Sequence, residues 1–155
     1  MKEITEKQAL LKMAALCAKT EYCAGDIKQK LRKYNLGEEV EERIVNTLKT
    51  KKYIDDERYT QAFVNDKITY TRWGRRKIEQ ALYIKHVDSA IAERILDNVP
   101  EEKYIEILKP ILIAKQKSIK GGNDYERSIK LIKYAMGRGF ELSIIRKCID
   151  KMDDF

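Results

Sequence analysis

The sequence predicts an all-α protein made of three tandem trihelical, helix-turn-helix-like repeats in an elongated, curved array. Three observations predict it. The first is an apolar ladder that occurs three times: Ile27, Leu31, Leu36, Val40, Ile44 and Leu48, then Ile78, Leu82, Val87, Ile91, Ile95 and Val99, then Leu131, Ala135, Phe140, Ile144, Cys148 and Met152. The internal steps are 4, 5, 4, 4 and 4 in every copy. A step of 4 keeps side chains on one helical face, and the single step of 5 breaks that phase, so each copy reads as helix, tight turn, helix. The second observation is the residue at the break: Asn35, His86 and Gly139 all tolerate the left-handed conformation that ends a helix. The third is that no segment sustains the apolar–polar alternation of a strand. Repeats of this kind stack by touching mainly their neighbours. The chain divides accordingly into a first repeat over 1–52, a second over 53–99 and a third over 100–155.

Each element follows in order. An opening helix is expected from about Thr5 to Lys19, with Leu10, Leu11, Ala14 and Cys17 on its apolar side. The first ladder comes next. Its second helix starts after Gly37 at Glu38-Glu39 and ends at Lys49, Lys51 and Lys52, with acids and bases at the ends the helix dipole favours. Asp55 and Asp56 cap a further helix, with Glu57 in its first turn and Tyr59, Ala62 and Phe63 as its apolar face. That helix leads through Arg72-Trp73-Gly74 into the second ladder, where Asp88 starts the helix after the turn. Pro100, Glu101 and Glu102 open the leading helix of the third repeat, and Pro110 is expected to kink or break it. Ser118 to Asn123, with Gly121-Gly122, is a flexible loop, and Glu141 marks the start of the last helix.

Composition narrows the function classes. Charged residues are 37 % of the chain, apolar residues 43 %, and the net charge is +7. That balance supports narrow helical seams and an acidic partner such as nucleic acid, a nucleoprotein or an acidic protein. The start, Met1 to Lys7, has no apolar core of a secretory signal, and no run approaches a membrane span. Of three cysteines, Cys17 and Cys148 read as small core residues and Cys23 as the exposed one, which suits a reducing cytoplasm. No catalytic residue, metal site or cofactor site is expected. The sole histidine, His86, is a turn residue, the acids of Asp55-Asp56-Glu57 point about 100° apart on a helix, and Gly121-Gly122 precedes Asn-Asp rather than the Lys-Ser/Thr of a phosphate loop.

The candidate binding surface lies at the entrance to the second ladder. Between Arg72 and Gln80 stand four bases, Arg72, Arg75, Arg76 and Lys77, and one acid, Glu79. With Ile78 and Leu82 buried, Arg76 and Tyr83 point outward, Arg75 lies on the flank and Trp73 marks the helix entrance. Guanidinium groups suit phosphate or carboxylate, and neighbouring aromatics can stack on bases. Secondary basic patches occur at Lys28, Lys30, Arg32 and Lys33 and at Arg127, Lys130 and Lys133. Three-helix modules with a basic helix also fit a stand-alone DNA-binding protein or transcription regulator.

The block Tyr53-Ile54-Asp55-Asp56-Glu57-Arg58-Tyr59-Thr60-Gln61-Ala62-Phe63-Val64 resembles the RecX family of recombinase regulators. Gly74, Ile78 and Leu82 after the basic approach, Lys85-His86-Val87 at the turn, and Leu31-Arg32-Lys33-Tyr34-Asn35-Leu36 in the first repeat extend the likeness. It is strongest from Tyr53 to Val87 and weakest beyond Pro100. The resemblance implies a cytoplasmic, non-enzymatic regulator, monomeric, that binds the RecA recombinase–DNA filament. It implies inhibition of the filament's ATPase, strand exchange and co-protease activities, and so a place in homologous recombination, DNA repair and the SOS response.

Overall fold

The computed structural model describes residues 3–150, which form helices with no strand among them. In chain order the helices are α1 (Glu6–Lys19), α2 (Ala24–Leu31), α3 (Glu38–Thr50), α4 (Asp56–Asp66), α5 (Arg75–Ile84), α6 (Ser89–Asp97), α7 (Glu101–Ser118), α8 (Asp124–Gly137) and α9 (Leu142–Asp150). A 3-10 turn at Arg32–Tyr34 follows α2, and a π-helical turn at Lys67–Thr71 follows α4. The all-α, trihelical-repeat class read from the ladders is the class observed. The rung at Met152 and the residues Met1 and Lys2 lie outside the described residues.

Helices α1, α4, α6 and α8 begin where polar side chains satisfy their free N–H groups. Thr5 and Gln8 cap α1 reciprocally, at 2.9 and 3.1 Å. Asp55 accepts from the Arg58 N–H at 3.0 Å, Asp88 from Ala90 at 2.8 Å and Asn123 from Glu126 at 2.9 Å. The three breaks in the ladders are left-handed turns, with φ of 52° at Asn35, 60° at His86 and 94° at Gly139. His86 is thus a turn residue, as its position in the second ladder implies.

The chain packs as two units, and their boundaries fall inside α4, α5 and α6. One unit comprises residues 1–62 and 82–92. Its core gathers Ala9 and Met13 of α1, Ile27 and Leu31 of α2, Ile44, Val45 and Leu48 of α3, and Ile54. Leu82 and Val87 are buried in the same unit. The other unit comprises residues 63–81 and 93–155. There α7, α8 and α9 pack on one another, with Leu108, Leu112, Leu131, Ala135, Phe140, Ile145 and Cys148 at most 1 % exposed. Ile68 and Ile78 are buried in that unit too.

Several expectations need correction. Leu11 is 61 % exposed, because α1 turns Ala9 and Met13 inward and leaves Leu11 on its far side. On α4 the buried side chains are Tyr59, Thr60 and Val64, while Ala62 faces solvent. Cys23 is fully buried at the start of α2, where burial pushes its thiol up to about 11. Cys17 is only half-buried. Pro110 does not break α7, which runs through it. The hydrogen bond that proline removes would end on the Glu106 carbonyl one turn earlier, and both residues face solvent, where water can replace it. Tyr104, Ile105 and Leu108 before Pro110, and Ile111 and Leu112 after it, are buried and hold both halves in place.

Candidate functional site

The segment from Arg72 to Lys77 owes its shape to two local events. The π-helical turn at Lys67–Thr71 ends α4, and Arg72 closes it in the left-handed conformation with φ of 61°. The Trp73 N–H then donates to the Lys67 carbonyl at 2.9 Å, which folds the tryptophan back over that turn. The indole is covered by two ammonium groups, Lys67 Nζ at 4.8 Å from the ring centre and Lys77 Nζ at 5.1 Å. Lys67 Nζ also lies 5.3 Å from the Phe63 ring. Contacts of this kind hold a cation at a fixed place on an aromatic face.

The beginning of α5 is fixed by the turn before α9. The Gly74 N–H donates to the Arg138 carbonyl and the Arg76 N–H to the Gly139 carbonyl, both at 2.9 Å. The Arg138 guanidinium in turn donates to the Thr71 and Arg72 carbonyls at 3.3 and 3.4 Å. Two of the free N–H groups that open α5 are therefore satisfied by backbone.

Within this frame the predicted residues separate. Arg72 and Arg76 are exposed, Trp73 and Lys77 are half-buried beneath and beside the cation–aromatic stack, and Tyr83 is 80 % exposed in the first unit. Arg75 behaves differently. Its guanidinium reaches Asp97 at 2.8 Å and Glu79 at 3.8 Å, and its side chain is only 20 % exposed. Burial opposes its charge, but the Asp97 hydrogen bond and the Glu79 carboxylate outweigh it and raise its pKa above the usual arginine value. Arg75 is thus committed to two carboxylates of its own fold.

The secondary patches are likewise uneven. Lys28 is ion-paired with Glu42, Lys30 lies 4.9 Å from the Tyr22 ring, and Lys33 lies 5.1 Å from the Tyr34 ring. Arg32 is exposed. In the second unit Lys130 and Lys133 are exposed, and Arg127 donates to the Gly121 carbonyl at 3.4 Å. Periodicity did not single out Lys67 or Arg138. Both act through the π-helical turn and the left-handed Arg72, which no spacing rule foretells. Among the described residues no cluster of His, Cys, Asp and Glu could hold a metal ion, and no helix is long and apolar enough to cross a membrane.

Comparison with known proteins gives the chain's kinship. The family described as RecX, second three-helix domain, matches residues 55–96. A regulatory protein RecX of Oceanobacillus iheyensis is 29 % identical over 129 residues, covering 83 % of this chain and 47 % of that protein. One from Caldanaerobacter subterraneus subsp. tengcongensis is 30 % identical over 125 residues, covering 80 % of this chain and 60 % of that protein. The chain thus matches about half to three-fifths of the length of these relatives. The crystal structure of RecX from Lactobacillus salivarius is similar with a TM-score of 0.86 at 18 % identity, over 94 % of this chain and 95 % of that one. A second crystal structure of a regulatory protein RecX gives 0.86 at 22 % identity, over 94 % and 73 %. At such identities the two structures speak to the fold, while the matches in sequence speak to kinship. With its block from Tyr53 to Val64 and its trihelical repeats, the chain belongs to the RecX family of regulatory proteins.

Proposed function

We propose that the protein binds the RecA-type recombinase filament on DNA and inhibits its ATP hydrolysis, strand exchange and co-protease activity, without catalysis of its own. Membership of the RecX family carries this reading. The surface at Arg72, Trp73, Arg76 and Lys77 supports it by offering two exposed arginines in the same segment as an indole that carries two ammonium groups, a chemistry that suits phosphates and carboxylates together. Tyr83 adds an exposed aromatic contact of its own in the first unit. On this reading the chain is a cytoplasmic monomer organised as repeats over 1–52, 53–99 and 100–155, and its basic patches at 28–33 and 127–133 add long-range attraction.

The test is DNA-dependent ATP hydrolysis by the cognate recombinase. Purified protein should slow it at substoichiometric to equimolar ratios. Unchanged hydrolysis and strand exchange at saturating protein would sink the proposal. Binding to naked DNA as tight as binding to the assembled filament would favour a stand-alone DNA-binding protein instead.

A further inference from the structure

Between the end of α7 and the outer face of α8 lies an open cleft of about 540 Å³, lined by Lys115, Ser118, Ile119, Lys120, Lys130, Lys133 and Tyr134. Four of these seven residues are lysines and none is an acid. One lysine is already positioned, since Lys115 Nζ sits 4.7 Å from the centre of the Tyr134 ring. Four cationic side chains lining one cleft with no carboxylate among them repel one another, and an anion in their midst relieves that repulsion.

The arrangement has a counterpart in the sequence. Lys130-Leu131-Ile132-Lys133-Tyr134 has the same spacing as Lys30-Leu31-Arg32-Lys33-Tyr34, and Leu131 and Leu31 are equivalent ladder rungs. In both places the tyrosine receives a lysine from the preceding leading helix: Lys115 on Tyr134, and Lys12 at 5.7 Å from the Tyr34 ring. In the first repeat the other lysines are also drawn onto aromatic rings, Lys33 onto Tyr34 and Lys30 onto Tyr22. At the third, Lys120, Lys130 and Lys133 border open space. The second ladder has Ala81, Ile84 and Lys85 at the corresponding positions, and its one lysine is held by Asp26.

We propose that this cleft is an anion site that takes two or more linked phosphates, with Lys115, Lys120, Lys130 and Lys133 as its cations. The cleft is open along its length, so a chain of phosphates can meet several ammonium groups at once where a single phosphate cannot. Linked phosphates have two sources, a free polyphosphate or the backbone of a nucleic-acid strand, and both present the same groups to the lysines.

Titration calorimetry of the full chain at low ionic strength tests the assignment with tripolyphosphate, orthophosphate and a short oligodeoxythymidylate. Tripolyphosphate should bind and orthophosphate should bind much more weakly. Replacing Lys130→Gln together with Lys133→Gln should weaken tripolyphosphate by about tenfold or more, as expected for losing two charge-assisted contacts. Circular dichroism should not change, since both side chains are exposed. Lys49→Gln with Lys51→Gln, an equal loss of charge on the first unit, should leave the affinity within about twofold, a change of about 0.4 kcal/mol. Displacement of tripolyphosphate by the oligonucleotide assigns the phosphates to a nucleic-acid strand, and independent binding of the two assigns them to a free polyphosphate. Equal loss of affinity in the two double variants overturns the proposal, and so does equal binding of orthophosphate and tripolyphosphate.

Discussion

Gly25 faces the carbonyl of Lys85 so closely that a β-carbon on it would stand 2.1 Å from that oxygen. Gly74 meets the turn before α9 in the same manner, with a β-carbon falling 2.3 Å from the Phe140 nitrogen. In each case a glycine at or beside the start of a ladder helix receives the backbone of the next ladder's left-handed turn. Backbone cannot yield as a flexible side chain can. Gly25→Ala and Gly74→Ala should therefore each lower stability by about 3 kcal/mol, read by chemical denaturation. Gly137, on a helix with nothing within 4 Å of such a carbon, is the contrast: Gly137→Ala should raise stability by about 0.5 kcal/mol.

Arg75 and Arg76, adjacent in sequence, should respond in opposite ways. Arg75→Glu places a third carboxylate beside Asp97 and Glu79 and should cost about 2–4 kcal/mol of stability, visible as a lowered midpoint of unfolding. Arg76→Glu should leave the midpoint within about 0.5 kcal/mol of the parent while weakening filament binding. Similar unfolding curves for the two variants would contradict the geometry.

Asp26 and Lys85, 2.8 Å apart, give the first unit one pH-dependent pair. Burial works against the Asp26 charge, yet the Lys85 hydrogen bond and the Cys23 groups outweigh it and hold the carboxyl below its usual range. The Asp26 hydrogen bond holds Lys85 above the usual lysine value, against its partial burial. For Asp26 the stabilisation is complete above the unfolded carboxylate value and fades as pH falls through the lowered one. For Lys85 it is complete below the unfolded lysine value and fades as pH rises through the raised one. Asp26→Asn should therefore cost about 1–2 kcal/mol near neutral pH and progressively less in strong acid, measured by denaturation at several pH values.

His86 has φ of 60°, so its backbone rather than its imidazole defines its place. His86→Gly and His86→Asn should be nearly neutral for stability and for inhibition of the recombinase. His86→Val should destabilise by about 1–2 kcal/mol, because a β-branched residue resists the left-handed region. Loss of inhibition in a stable His86→Asn variant would reveal chemistry at the ring.

The ladders were legible because burial repeats at fixed helical spacing, and the turns because few residues tolerate positive φ. Arg75 was harder to place. A helical wheel puts it on the flank, and only the fold brings Asp97, 22 residues away, to its guanidinium. Cys23 shows the same limit: nothing in its neighbours along the chain announces the Lys85 carbonyl 3.8 Å from its sulfur. Pro110 misled because proline's effect depends on which way the freed carbonyl faces. The division into packing units at positions within α4, α5 and α6 was also invisible to a repeat, which records spacing along the chain and not which neighbours share a core.

Trp73 is the chain's single tryptophan, and the ammonium groups of Lys67 and Lys77 lie 4.8 and 5.1 Å from its ring centre. Its fluorescence is therefore a built-in optical probe of one surface, separable by excitation wavelength from the nine tyrosines. An anionic partner that draws either lysine off the indole changes the charge against the ring and shifts its emission, with no label attached. Binding elsewhere on the chain leaves that colour alone.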